Sequence, residues 1–180
     1  MLMSVFGDSP KNHHQILEFL KPMPETSLIR VDNHEDFIRS SFGYSLPCAR
    51  YMNVVFQKQY FDNVFWISKN SDYKIRSYEK RGSFLGDYHL NELDKALNFL
   101  SNASFEKIVL DIDPDILADY DTGFSKGSMQ KNELKHLIKY FQKNKKIELF
   151  FLAESEEFLK ELLKNPGYCV QQELYSNSEH

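Results

Sequence analysis

The chain has 180 residues, which is the usual size of one domain rather than two. Hydrophobic residues make up 42% of the sequence and charged residues 27%, and this composition excludes a disordered chain. The formal net charge of −4 disfavours nucleic acid as a partner. We therefore predict a single globular domain over residues 1–180.

The cysteines and the hydropathy pattern bear on the cellular compartment. Cys48 and Cys169 lack C-x-x-C spacing and are expected to be free, buried thiols in a reducing compartment. The N-terminus has no basic region followed by an apolar stretch, and no run of about 20 apolar residues occurs in the sequence. We expect a cytoplasmic protein that does not contact a membrane. Its oligomeric state, including a homo-oligomer, stays open.

Short β-rich segments alternate along the chain with longer segments of helical period. This alternation is typical of βαβ units and predicts a three-layer α/β/α fold around a mostly parallel sheet. Trp66 is predicted to lie in the core, and Ser128 to cap the fourth helix. The predicted strands are 2–6, 27–32, 63–68, 73–78, 107–112, 147–152 and 168–174. The predicted helices are 12–20, 47–60, 90–101, 129–144 and 155–164.

An acidic cluster follows the second predicted strand. Asp32, His34 and Asp36 are spaced two residues apart, and in an extended segment such side chains point the same way. Two carboxylates and an imidazole suit a divalent ion such as manganese, zinc or iron. The alternative is a solvated turn with acidic caps.

A second acidic pair ends the apolar strand 107–112. Asp111 and Asp113 repeat the spacing of two, and buried carboxylates repel each other unless a cation or other donors compensate. The carboxyl ends of strands in an open α/β sheet are also where ligands bind. A pair of metal ions is the simplest compensation for both clusters together.

The motifs V-D-N-H-E-D at 31–36 and L-D-I-D-P-D at 110–115 resemble those of the arginase and agmatinase family, the manganese-dependent ureohydrolases. The resemblance implies an arginase/deacetylase-like fold and two Mn²⁺ ions per chain. It also implies an upstream histidine ligand, which we assign to His13, with His14 as the alternative. The pattern is most similar to a small, compact branch that includes peptide arginases of ribosomal peptide pathways.

The resemblance further implies a set of metal ligands and a reaction. One ion would be held by His13, Asp32, Asp36 and Asp111, and the other by Asp32, His34, Asp111 and Asp113. Asp32 and Asp111 would bridge two ions about 3.5 Å apart, and the ions would lower the pKa of a bridging water. The resulting hydroxide would attack the guanidinium carbon of arginine, and Asp36 would pass a proton to the departing amine. The products would be urea and ornithine.

The resemblance also implies which residues contact the substrate. Glu154 follows strand 147–152 and matches a family glutamate that pairs with the substrate guanidinium, for which a bidentate carboxylate is suited. The alternative role of Glu154 is to favour the start of helix 155–164. Segment 37–44 lacks the family's groups for the termini of a free amino acid and its histidine proton shuttle. We therefore expect a precursor peptide as substrate, bound at the exposed sheet edge beside Tyr44.

Three functions stay open at this point. The first is a manganese-dependent hydrolase that converts arginine residues in a peptide to ornithine with release of urea. The second is a metal-dependent hydrolase of another amidine, formimino or acyl-amide substrate on the same fold, which Glu154 disfavours. The third is a non-catalytic binding module, disfavoured because the aspartate and histidine ligands are present.

Overall fold

The computed structural model describes residues 3–7, 9–37, 50–120 and 126–164. Within these ranges the fold is α/β, with seven strands in one sheet. The strands are β1 (Met3–Phe6), β2 (Thr26–Val31), β3 (Asn63–Lys69), β4 (Tyr73–Glu79), β5 (Phe84–Leu90), β6 (Lys107–Ile112) and β7 (Lys146–Leu152). The helices are α1 (Tyr51–Lys58), α2 (Leu93–Ser101), α3 (Lys131–Asn144) and α4 (Glu156–Leu163), with 3₁₀ helices at Pro10–Glu18 and Pro114–Ile116. Tyr44 and the predicted strand 168–174 lie outside the described residues.

The sheet is mostly parallel, as the sequence predicts. The strand order is β1-β7-β6-β2-β3-β4-β5, and the first five strands in this order run parallel to one another. β4 and β5 add an antiparallel extension at one side. β5 was not predicted, because its side chains are exposed on both faces and carry no alternation of buried and exposed residues.

Two buried clusters of apolar residues lie on the two faces of the sheet. In β2, Ile29 and Val31 face the core formed with α2, α3 and α4. Leu28, one residue out of phase with these two, faces the core formed with α1 and the 3₁₀ helix Pro10–Glu18. Helices therefore cover both faces, which agrees with a three-layer α/β fold.

The helices agree with the predicted positions but differ in detail. The predicted helix 12–20 is the 3₁₀ helix Pro10–Glu18, which kinks at Asn12. The predicted Ser128 cap is wrong, because α3 begins later and the backbone N–H of Gln130 donates to Glu133 at 2.8 Å. The Ser128 hydroxyl instead donates to the carbonyl of Lys69 at 2.8 Å. In the described ranges, no helix has both the length and the apolar character needed to cross a bilayer.

Replacing Gly127 with alanine is expected to destabilise the fold. A Cβ at this position would lie 1.8 Å from the carbonyl oxygen of Ile116, and the backbone N–H of Gly127 donates to the carbonyl of Asp115 at 2.9 Å. Overpacking of this kind costs about 1–3 kcal/mol, and we expect the midpoint of thermal unfolding to fall by about 5 °C. Thermal unfolding of Gly127→Ala beside the surface variant Lys131→Ala tests this. Equal midpoints for the two variants would contradict it.

Candidate metal centre

Five aspartates, two histidines and an arginine meet at the carboxyl ends of β2 and β6. The parallel register places Arg30 opposite Asp111, so the residues that follow the two strands lie at the same edge of the sheet. Most of these side chains are buried, with Asp32 and Asp111 fully so. Burying this many carboxylates is costly without compensating positive charge. We call this set the carboxylate cluster: His13, Arg30, Asp32, His34, Asp36, Asp111, Asp113 and Asp115.

His13 reaches the cluster from the 3₁₀ helix on one face of the sheet. Its Nε2–H donates to Asp111 Oδ1 at 2.6 Å. This arrangement leaves Nδ1 directed toward the other carboxylates. Nδ1 lies 3.1 Å from Asp113, 3.4 Å from Asp32 and 3.7 Å from Asp36, yet it is buried and makes no hydrogen bond. A buried nitrogen that faces three carboxylate oxygens in this way is suited to a cation.

Arg30 is one of the residues that sequence analysis missed. It lies two residues before Asp32 on the same face of β2, and its side chain is 1% exposed. Its Nη2 donates to Asp32 Oδ2 and, at 2.8 Å, to Asp36 Oδ2. Its Nη1 donates to the carbonyl of Glu35 at 2.7 Å. The guanidinium thus holds segment 32–36 against the end of β2, and Asp36 adopts a φ of 50°, in the left-handed region.

Asp111 lies between three donors. Besides His13, the Tyr51 hydroxyl donates to its Oδ2 at 2.5 Å, and Arg30 Nε lies 3.7 Å from the same oxygen. Both Asp111 oxygens therefore contact protein donors. The bridging role that the resemblance assigns to Asp111 stays a prediction.

His34 forms a second group with Asp115, a residue that the sequence analysis did not single out. His34 Nδ1 lies 2.6 Å from Asp115 Oδ2 and 4.0 Å from Asp32 Oδ1. Backbone N–H groups fix both carboxylates: His34 donates to Asp32 at 2.6 Å and Asn33 donates to Asp115 at 3.1 Å. Asp113 Oδ1 accepts from the N–H of Asp115 at 3.0 Å. The sequence feature that could have indicated Asp115 is the D-x-D-x-D pattern at 111–115, in which Asp115 is the third acid.

Two groups in the cluster could hold a metal ion. Their members are His13, Asp32 and Asp36 in the first, which we call the His13 group, and Asp32, His34 and Asp115 in the second, the His34 group. In each, the candidate ligand atoms lie within 4.8 Å of one another. Imidazole nitrogen with carboxylate oxygen suits divalent ions such as Mn²⁺ or Zn²⁺, so the donors fit. Of the two candidate upstream histidines, it is His13 that belongs to a group.

The cluster shifts the pKa values of its members in different directions. Burial, reinforced by the charge of Asp32, raises the pKa of Asp36 to about 8 and that of Asp113 to about 7. The pKa of Asp32 is lowered in spite of its burial, because Arg30 stabilises its charge. The hydrogen bond to Asp115 raises the pKa of His34 to about 9.

Without metal, the protein is expected to become less stable as pH rises above neutrality. Asp36 and Asp113 keep their protons in the fold at pH values where an unfolded carboxyl, with a pKa near 4, has lost its proton. Their contribution to stability is therefore complete below about pH 4 and is lost as pH rises through about 7 to 8. The raised pKa of His34 likewise makes stability fall as pH rises, between about pH 6.5 and 9.

Thermal unfolding of chelator-treated protein between pH 6 and 9 tests this expectation. The midpoint should fall across this range. A midpoint that rises with pH in the chelated sample would contradict the assignment of buried, protonated carboxyls.

Glu154 lies at the same sheet edge, two residues after the end of β7, which neighbours β6. Its Oε2 accepts from the Tyr120 hydroxyl, and its Oε1 accepts from the N–H of Ser155 at 2.7 Å. Burial and the bond to Glu154 raise the pKa of Tyr120, with Asp113 and Asp115 adding to the shift. The Tyr120 hydroxyl therefore links Glu154 to the side of the sheet edge where the charges of Asp113 and Asp115 act.

No known protein family, curated protein or solved structure matches this chain. Its function is therefore inferred from the cluster and from Glu154.

Proposed function

We propose that the chain is a manganese-dependent ureohydrolase with an arginase-like fold, which converts arginine residues of a precursor peptide to ornithine and releases urea. The observation that carries the proposal is the convergence of aspartates and histidines at one sheet edge, with Glu154 just after the neighbouring strand. This edge is formed by the carboxyl ends of parallel strands, the usual place for ligands in such sheets.

The residues of the cluster supply the ligands for the metal. The candidate ligands are those of the His13 group and the His34 group, and Asp32 contributes one oxygen to each group. When bound, divalent ions supply Lewis acidity that lowers the pKa of water toward neutrality. The Asp111 carboxylate orients His13 through Nε2, so that Nδ1 faces the ligand oxygens.

Glu154 is assigned to the substrate guanidinium. Each of its oxygens accepts one hydrogen bond from the protein, from Ser155 or from Tyr120, and each carboxylate oxygen has a second lone pair. The anchored carboxylate can therefore accept two parallel N–H donors from a planar guanidinium. This preference for a cation favours arginine over a neutral acyl-amide substrate.

The reaction consumes one water for each arginine side chain. The water oxygen adds to the guanidinium carbon, and the bond from that carbon to the side-chain nitrogen then breaks. Both water hydrogens end on the departing amine, which leaves as the ammonium of ornithine, and the other product is urea. Asp36, which lies in the cluster and accepts from Arg30 Nη2 at 2.8 Å, is assigned to pass a proton to the amine.

A non-catalytic binding module is the second candidate, and Arg30 is the observation in its favour. The buried guanidinium neutralises part of the negative charge of the cluster without a metal ion. Elemental analysis of the purified protein separates the two candidates, since a binding module of this kind would carry no stoichiometric metal.

Urea release tests the proposed reaction. Protein loaded with Mn²⁺ is incubated with free arginine and with a peptide that carries an internal arginine, and urea and peptidyl ornithine are measured. We expect the larger kcat/KM on the peptide, and no activity from Asp32→Asn as the matched control. An equal or larger kcat/KM on free arginine would overturn the peptide specificity. No urea from either substrate would overturn the proposed reaction.

A further inference from the structure

Arg30 competes with a metal ion for two particular oxygens. Asp32 Oδ2 and Asp36 Oδ2 accept hydrogen bonds from its Nη2, and the same two oxygens lie 3.4 and 3.7 Å from His13 Nδ1. Two of the three ligand atoms of the His13 group therefore already contact a full positive charge. A divalent ion bound there would lie close to the guanidinium, and the two cations would repel each other.

The surroundings of Arg30 hold its guanidinium in place. β2 is a central strand between β6 and β3, and the arginine side chain is 1% exposed. Its Nη1 donates to the carbonyl of Glu35, and the guanidinium lies 5.0 Å from the centre of the Tyr51 ring. Moving this side chain aside would break these contacts and leave a buried charge without its partners.

Arg30 does not compete with an ion for the ligand atoms of the His34 group. The candidate ligand atoms of this group are Asp32 Oδ1, His34 Nδ1 and Asp115 Oδ2, and among the described residues Arg30 donates to none of these atoms. The His34 side chain is 41% exposed, which gives an ion a route from solvent. Asp32 divides its oxygens between the two groups, Oδ2 toward Arg30 and Oδ1 toward His34.

We propose that Arg30 is a resident cation of the His13 group, and that the cluster consequently takes one divalent ion per chain, in the His34 group. This inference rests on the proposed function for the choice of manganese and deepens it by fixing the number and place of the ion. Arg30 is a positioning residue in this arrangement, because it acts by holding Asp32 and Asp36.

Mn²⁺ titration by calorimetry, with elemental analysis after desalting, tests the proposal on four proteins. Wild type should bind one ion. Asp115→Asn should lose it, because a ligand of the His34 group is removed, whereas the matched Asp36→Asn should keep it. Arg30→Met, which retains the aliphatic bulk, should bind a second ion, because the His13 group then loses its cation. The midpoint of thermal unfolding of this variant should fall without metal and be restored by Mn²⁺.

The outcomes separate the alternatives clearly. Two ions or none in wild type would overturn the proposal, as would loss of the ion in Asp36→Asn with retention in Asp115→Asn. The pair Asp36→Asn and Asp115→Asn decides the place of the ion even if Arg30→Met does not fold. One bound ion without urea release would contradict the proposed function and leave this inference standing.

Discussion

Replacing Asp111 with alanine is expected to lower the midpoint of thermal unfolding by about 10 °C. Asp111 is fully buried and accepts from His13 Nε2 at 2.6 Å and from the Tyr51 hydroxyl at 2.5 Å, with Arg30 Nε at 3.7 Å. Removing one partner from a buried charge network costs about 3–5 kcal/mol. In a chain of this length each kcal/mol shifts the midpoint by about 2–4 °C.

Asp119→Ala is the control for this variant. Asp119 is 59% exposed and pairs with Lys131 at 3.0 Å, and surface pairs of this kind contribute about 0–1 kcal/mol. Equal unfolding midpoints for the two variants would show that the buried network contributes nothing to the fold.

Replacing Glu154 with glutamine is expected to reduce kcat/KM for peptidyl arginine about 10- to 100-fold. The amide keeps the size of the side chain but removes the negative charge and one acceptor, and charge-assisted hydrogen bonds contribute about 1.5–3 kcal/mol. Metal content should be unchanged, since Glu154 belongs to neither candidate ligand group. The unfolding midpoint should also change little, because the N–H of Ser155 keeps an acceptor oxygen.

Two further variants show whether the effect comes from contact with the substrate. Glu157→Gln alters an exposed glutamate in the first turn of α4 and should leave kcat/KM unchanged. Tyr120→Phe removes the hydroxyl that holds Glu154 Oε2 and should raise KM more than it lowers kcat, because it loosens the guanidinium partner. An unchanged kcat/KM in Glu154→Gln would exclude this residue from substrate binding.

The sequence predicts the sheet and the edge where the cluster lies, because these follow from local patterns. Six of the seven predicted strands, all but 168–174, overlap strands of the structure, and Trp66 is buried as predicted. Its indole N–H also donates to the carbonyl of Asp32 at 2.9 Å, which ties β3 to the site. Their positions at the carboxyl ends of two apolar strands were enough to place Asp32 and Asp111 at one edge.

The parts that could not be predicted depend on contacts between distant residues. His13 and Asp111 are 98 residues apart, and no periodicity indicates that they meet. Arg30 lies in an apolar strand, and its role appears only when Asp36 and Tyr51 are placed around it. The start of α3 was misplaced because serine is a frequent cap, whereas here Gln130 is the cap and its N–H donates to the side chain of Glu133.

The pairing of β2 with β6 has a consequence for how the chain folds. Between these two strands, the described part of the chain forms three strands and two helices. Parallel pairing across such a distance is slow, because a long loop must close before the two strands can pair. The ligands are therefore far apart in the unfolded chain, and an ion binds essentially only the native state. At an ion concentration 100 times Kd, mass action adds about 2.7 kcal/mol to the free energy of unfolding. An ion bound as proposed would therefore stabilise the fold whether or not a substrate is present.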